Sequence, residues 1–199
     1  MAIEHNVIPD AERHEPKGLS TALNGQMYMA RGSDTGEWLY LPQGWGHYAD
    51  NTAGQIFTTS PTKLVINGLG TSSESGYLPR EIRGSGELWD VSTSRITPIR
   101  AGDTYNLRVQ FPITAKTGTP TTLEIDLDIG ATTSPTIIVA ARSIAVTKTP
   151  PYTISIGFPI FCLATFLANG GQFFLSTDTG TLTTVGASIF IDRNTSGEI

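Results

Sequence analysis

Glu124, Asp126 and Asp128 stand at alternate positions in a run of strand-forming residues, so their carboxylates line up on one face of one strand. Carboxylates in a row have two chemical uses. They can ligate a calcium ion, or a pair can work as acid and base on a glycosidic bond across a cleft of about 5–10 Å. Either use needs a second set of groups facing the first, and no other acidic cluster stands at a recognisable ligand spacing. A solvated sheet face that keeps an acidic chain soluble accounts for the same pattern. The calcium reading would place a divalent ion near Asp126 and Asp128.

The remaining reactive residue types are sparse. His5, His14 and Glu15 share the first segment, but neither HExxH spacing nor paired Cys and His is present. They read better as polar contacts of a docking peptide. His47 stands beside Trp45 and Tyr48, where an aromatic packing cluster is expected rather than a general base. Cys162 is the single cysteine and lies in an apolar run, so it is expected to be a small buried hydrophobe. Neither a Gly-x-Ser-x-Gly elbow nor a phosphate-binding or dinucleotide-binding glycine motif occurs. Gly68-Leu-Gly70 falls in a Gly/Ser-rich loop, and the sequon at Asn194 is taken as chance. No catalytic residue, metal or cofactor is assigned, and the expectation is a protein that is not an enzyme.

The elements that would carry these residues are strands. Positions 104–114 alternate, with Tyr105, Leu107, Val109, Phe111 and Ile113 opposite Asn106, Arg108 and Gln110. Positions 121–129 and 152–160 repeat the pattern, and 172–177 and 184–191 supply two more strands. Positions 136–147 are β-rich but more continuously apolar. Weaker strands are read at 55–59, 63–67 and 87–89. Turn residues punctuate at 116–120, 130–135, 148–151, 169–171 and 178–180. The one helical stretch is a turn or so at 161–169, closed by Gly170. About eight short strands at this spacing make an all-β sandwich or barrel.

Composition agrees. Charged residues are 16% of the 199, and 21 Gly and 12 Pro favour turns over long helices. The net charge of −5, with no Lys/Arg cluster, argues against nucleic acid as a partner and against an anionic lipid surface. No run approaches the ~20 apolar residues of a membrane span. The polar opening residues contain no export signal core, so synthesis in a host cytoplasm is expected.

Three parts are predicted: an extended arm at 1–24, a β-hairpin neck at 25–46 and a β domain at 47–199. Pro9 and Pro16 favour extended backbone in the arm. In the neck, Gln26–Ala30 and Glu37–Leu41 flank a Gly/Ser/Asp turn, with Tyr28, Trp38 and Tyr40 a heavy aromatic load for an isolated ribbon. These three are expected to pack on another subunit or on the main domain.

Two stretches carry a family resemblance. Ile8-Pro9-Asp10-Ala11-Glu12-Arg13-His14-Glu15-Pro16-Lys17-Gly18, then Ser20-Thr21-Ala22 and the hairpin with Trp38, resembles a leader of tailed-bacteriophage virion proteins of the head-fibre or decoration type. Ser155-Ile-Gly-Phe-Pro-Ile160, Thr165-Phe-Leu-Ala-Asn-Gly-Gly171 and Leu175-Ser-Thr-Asp178 look like the tumour-necrosis-factor-like jelly roll that often follows such a leader. The resemblance implies a homotrimeric, non-enzymatic virion structural protein. Ile8, Pro9, Asp10, His14, Glu15, Pro16, Lys17 and Gly18 would dock on the major capsid protein or another virion protein. A capsid surface location is expected ahead of the tail. Phe174 and Phe190, opposite the core-facing sets of their strands, join Tyr28, Trp38 and Tyr40 as expected trimer contacts. The alternative is a tail-associated receptor or glycan binder, with a host surface glycan held by Tyr77, Trp89 and the Ser/Thr/Gly-rich loops.

Overall fold

The computed structural model of the chain describes residues 22, 26–30, 36–40 and 43–195. The chain divides into two compact units, Met1–Leu41 and Pro42–Ile199. In the first, β1 (Gln26–Ala30) pairs antiparallel with β2 (Gly36–Tyr40), and Tyr28 sits directly opposite Trp38. The expected hairpin is therefore present. Its two rings meet edge to face at 5.3 Å, so each covers part of the other.

The second unit is a two-sheet antiparallel sandwich. One sheet is built around the long strand β8 (Thr104–Thr117). β11 (Tyr152–Phe161) pairs along one side of it. Along the other side, β14 (Ser188–Thr195) pairs with the first half of β8 and β13 (Thr181–Thr184) with the second. β3 (Gly44–Ala49) and β4 (Gln55–Phe57) lie outside these two. The facing sheet has the order β10 (Ile138–Ala145), β9 (Thr122–Asp128), β12 (Gln172–Thr177), β5 (Thr62–Lys63). The chain crosses from one sheet to the other at β8–β9, β10–β11, β11–β12 and β12–β13, with β9 and β10 neighbours in one sheet, as in a jelly roll. A small ribbon pairs β6 (Trp89–Asp90) with β7 (Arg95–Ile96), and Ile96 exchanges backbone bonds with Gly171 just before β12.

Alternation made these strands. Leu107, Val109, Phe111 and Ile113 of β8 face Leu123, Ile125 and Leu127 of β9 across the core, all at most 2% exposed. Burying a side chain of this size contributes about 1.5–3 kcal/mol over leaving it in water. The intervening Asn106, Arg108 and Gln110 are exposed. Helix α1 (Ala164–Asn169) drops Phe166 into the core and ends at Gly170, whose φ of +68° an L side chain rarely adopts.

Two expectations are corrected. The run read as one strand at 184–191 is split between β13 and β14, because Gly186 takes a φ of +75° that a continuing strand cannot hold. The β domain also begins earlier than position 47. Gly44–Gly46 are already strand, fastened by Trp45 N donating to Tyr77 O at 2.9 Å. That bond belongs to a strap, residues 68–78, that covers the outer edge of β3. His47 and Glu74 exchange backbone bonds at 2.8 and 2.7 Å, and Gly70 N donates to Ala49 O at 2.8 Å. An open strand edge is a template for unwanted pairing, and the strap occupies this one.

The β8–β9 turn is held by Asp178, whose carboxylate accepts the Thr121 hydroxyl and the backbone N–H groups of Thr121, Thr122 and Thr179. These bonds, the Thr121 hydroxyl first, hold its pKa at about 2, below the ordinary 3.8. A depressed carboxylate stabilises fully above its unfolded pKa and loses that contribution as pH falls through the folded one. Amide exchange protection at Thr121 and Thr122 is therefore expected to fall between pH 3.8 and about 2, ahead of Val109 and Phe111. Uniform loss at all four would show that Asp178 does not govern the turn.

Candidate interaction surface

The outer face of the β8 sheet carries a row of stacked rings. In the antiparallel register Phe190 of β14 lies between His47 of β3 and Arg108 of β8, and Trp45 is beside Asp192. Alternation puts all of them outside, while Tyr48, Ile189 and Ile191 point into the core. Tyr77 of the strap stacks on Trp45 at 4.8 Å and 16°, Trp45 leans on Phe190 at 5.3 Å, and the Arg108 guanidinium lies 5.3 Å from the Phe190 ring. Phe190 is thus half-buried on an outer face, as expected of it. Tyr77 remains 57% exposed and ends the row.

The opposite flank is apolar. Among the described residues β10 and β11 are the unpaired edges of the two sheets on this side, and their ends at Ile138 and Phe161 carry exposed side chains. Ile137, Ile138 and Val139 are 46–50% exposed, Phe161 67% and Leu163 60%. Val139, Phe161 and Leu163 open onto a cavity of about 240 Å³ whose floor includes Ile129, Ile160 and Phe166. A continuously apolar strand is one covered on both faces, yet β10 is exposed along most of its length in the single subunit. The sequence signal for this flank was present in the run 136–147, where alternation fails. It read only as a strand, because a local pattern does not say whether an apolar face is covered.

Other expected site residues fall differently. Phe174 is 1% exposed within the subunit, opposite Lys63 and Asp126, so it offers no surface to a neighbour. Its strand is buried at five of its six positions, so alternation along β12 does not mark an outside. Trp89 is fully buried and donates Nε1–H to Ile66 O at 2.9 Å, which removes it from any glycan platform. Tyr28 and Trp38 are half-buried against each other. The side chain of Tyr40 and the arm residues Ile8, Pro9, Asp10, His14, Glu15, Pro16, Lys17 and Gly18 lie outside the described residues.

The three carboxylates of β9 part company. Asp128 is buried and uses both oxygens on the following loop: Oδ1 accepts Thr136 N and Ile137 N at 2.7 and 2.6 Å, and Oδ2 accepts Gly130 N at 3.0 Å. Glu124 and Asp126 stay half-exposed on the outer face. Partial burial, then the nearby Glu124 and Asp128 charges, push the Asp126 pKa up. Among the described residues no three His, Cys, Asp or Glu side chains gather closely enough to hold a metal ion. His47 accounts for one ring nitrogen, Nδ1, at 2.7 Å from Ser72 O. Cys162 is fully buried, and burial, aided by the Asp103 charge, pushes its thiol up to about 11.

Sequence pattern missed a buried ionic cluster at the end of the sandwich where β8 begins. Arg193 occupies a core-facing position of β14 and is fully buried. Its Nη2 donates to Asp103 Oδ1 at 2.8 Å and its Nη1 to Glu81 Oε1. Asp103 is also fully buried, and its Oδ2 accepts the Tyr105 hydroxyl at 2.7 Å and Arg100 N at 3.0 Å. Arg100 reaches Glu81 at 2.9 Å from the solvent side. Two fully buried opposite charges joined in this way make a clamp between β14 and the turn before β8.

No family model matches the chain, and no curated protein matches it. Among solved structures it is similar to the Eiger tumour-necrosis factor of S. frugiperda, at 10% identity and a TM-score of 0.48 over 79% of this chain and 96% of that one. It is also similar to PRD1 vertex protein P5, at 12% identity and 0.47 over 75% and 96%. A third is the Tobacco streak virus coat protein, at 11% identity and 0.34 over 81% and 92%. Among the described residues no helix is long and apolar enough to cross a membrane.

Proposed function

We propose that this chain is a non-enzymatic structural protein of a bacteriophage virion, a homotrimer set on the capsid surface by its N-terminal arm as a decoration protein or head fibre. The observation that carries the reading is the apolar flank of Ile137, Ile138, Val139, Phe161 and Leu163. Side chains of this size, exposed together around a cavity, mark a surface that another protein covers. The flank lies at the β10/β11 side, and the Trp45–Tyr77–Phe190 row lies at the β3 side of the same subunit. A contact between two different surfaces of identical chains is heterologous, and closing it gives a ring. The number three comes from the resemblance to trimeric jelly rolls.

The arm adds attachment. An extended peptide docks by strand addition and by side chains entering a groove. Three arms on one trimer raise their effective concentration, so weak single contacts sum to a stable one. Residues 1–24 would meet the major capsid protein or another virion protein, and the hairpin would form the neck.

The test is the position of the chain in a reconstruction of the intact particle, beside particles carrying a protein truncated before Asn24. Density at capsid symmetry positions that disappears on truncation is expected. Density at the tail tip or baseplate would overturn the capsid reading and favour a tail-associated receptor or glycan binder, for which exposed Tyr77 stacked on Trp45 is the remaining aromatic platform.

A further inference from the structure

We propose that Asn67 is a site of autocatalytic deamidation, at which the backbone nitrogen of Gly68 attacks the Asn67 side chain. The pair spans the start of the strap that covers β3. Gly68 has a φ of +70°, and a Cβ there would stand 2.7 Å from Val91 Cγ1, so the fold favours glycine at this position. Among the described residues the Gly68 N–H donates to no protein acceptor. A cavity of about 230 Å³, lined in part by Gly68, Ser73 and Glu74, admits water beside it.

The Asn67 side-chain amide is held at both atoms, with Nδ2 donating to Asn51 Oδ1 at 2.8 Å. Asn67 Oδ1 accepts Leu69 N at 3.0 Å and Asn51 N at 3.3 Å. Addition of Gly68 N to Cγ places negative charge on that oxygen, where two backbone donors already point, as in an oxyanion hole. The N–Cγ bond forms, and Gly68 N gives its proton to water. The Cγ–Nδ2 bond then breaks, and ammonia leaves after taking a proton from water. Water opens the cyclic imide at either carbonyl, leaving aspartate or isoaspartate at position 67. No oxidant, metal or other co-reactant is needed.

The chain carries its own control. Asn169–Gly170 is the same dipeptide and its Nδ2 is likewise tied, to Ile129 O at 2.8 Å, but Gly170 N donates to Phe166 O at 2.8 Å as the cap of α1. Its nucleophile is occupied. The product at position 67 has a structural consequence. A new carboxylate stands next to buried Asp50, whose Oδ1 accepts Asn67 N at 3.3 Å, and isoaspartate reroutes the backbone at the start of the strap.

The experiment incubates the full-length folded protein at mildly alkaline pH and maps amide-to-acid conversion by peptide mass, with a parallel sample in urea. In the folded protein, conversion at Asn67 is expected to exceed that at Asn169 by about tenfold, the rate ratio that about 1.4 kcal/mol of barrier corresponds to. In urea the two sites should converge. Equal conversion at the two sites in the folded protein, or none at Asn67, would overturn the proposal.

Discussion

Replacing Asp103 with alanine is expected to cost about 3–5 kcal/mol of folding free energy, the range for removing one partner of a buried ion pair. The loss is large because Arg193 stays behind, fully buried, with Glu81 as its remaining carboxylate in the cluster. Burial works against the guanidinium charge, but the bonds and charges of Asp103 and Glu81 outweigh it and raise its pKa, so Arg193 does not escape by losing its proton. The Tyr105 hydroxyl and Arg100 N lose their acceptor in the same step. Urea unfolding monitored by tryptophan fluorescence checks this, as a lower midpoint at unchanged slope. A second substitution separates charge from packing. Arg193→Met in the Asp103→Ala background removes the stranded cation, so the double variant is expected to be more stable than Asp103→Ala alone. Additive losses would mean that the two side chains do not act as a pair.

This cluster also shows what a period-two reading can and cannot see. Alternation placed the strands at 104–114, 121–129, 152–160 and 172–177, because one buried face leaves a repeating mark on the sequence. It placed Phe190 outside and Leu107, Val109 and Phe111 inside. The same rule assigned Phe174 to a surface and failed, since β12 is central in its sheet and buried on both faces. It says nothing of Arg193, an inward arginine whose partners lie 90 and 112 positions away. Buried charges are chosen by such distant partners, and a local pattern does not contain them. Trp89 was misread for a related reason. It was read in a short strand at 87–89 and offered with Tyr77 as a glycan platform, whereas its Nε1–H finds Ile66 O inside the fold. Asp128 followed the alternation of its neighbours but left their chemistry, because the loop after β9 needs acceptors for three backbone N–H groups.

The second large effect concerns assembly. Phe161→Glu is expected to convert a trimer into folded monomers. Phe161 is 67% exposed at the end of edge strand β11, so the single subunit does little with its side chain. A surface change away from buried features shifts stability by about 0.5 kcal/mol or less. In the proposed ring the same position is covered by the next chain, and a carboxylate there is taken from water without a partner, at a cost of several kcal/mol per ion. The penalty recurs at each contact around the axis. Light scattering on the eluting protein should therefore report one chain per particle, with an unchanged circular dichroism spectrum. Val91→Glu serves as the matched control, since Val91 is 45% exposed but lies beyond β6, away from the flank. It should leave the mass at three chains. If Phe161→Glu remains trimeric, the flank is not the subunit contact. If Val91→Glu also dissociates, added negative charge on an already acidic chain, and not the lost apolar contact, is what separates the subunits. Wild-type protein that is monomeric at all concentrations would remove the ring itself and leave the Trp45–Tyr77–Phe190 row facing a different partner.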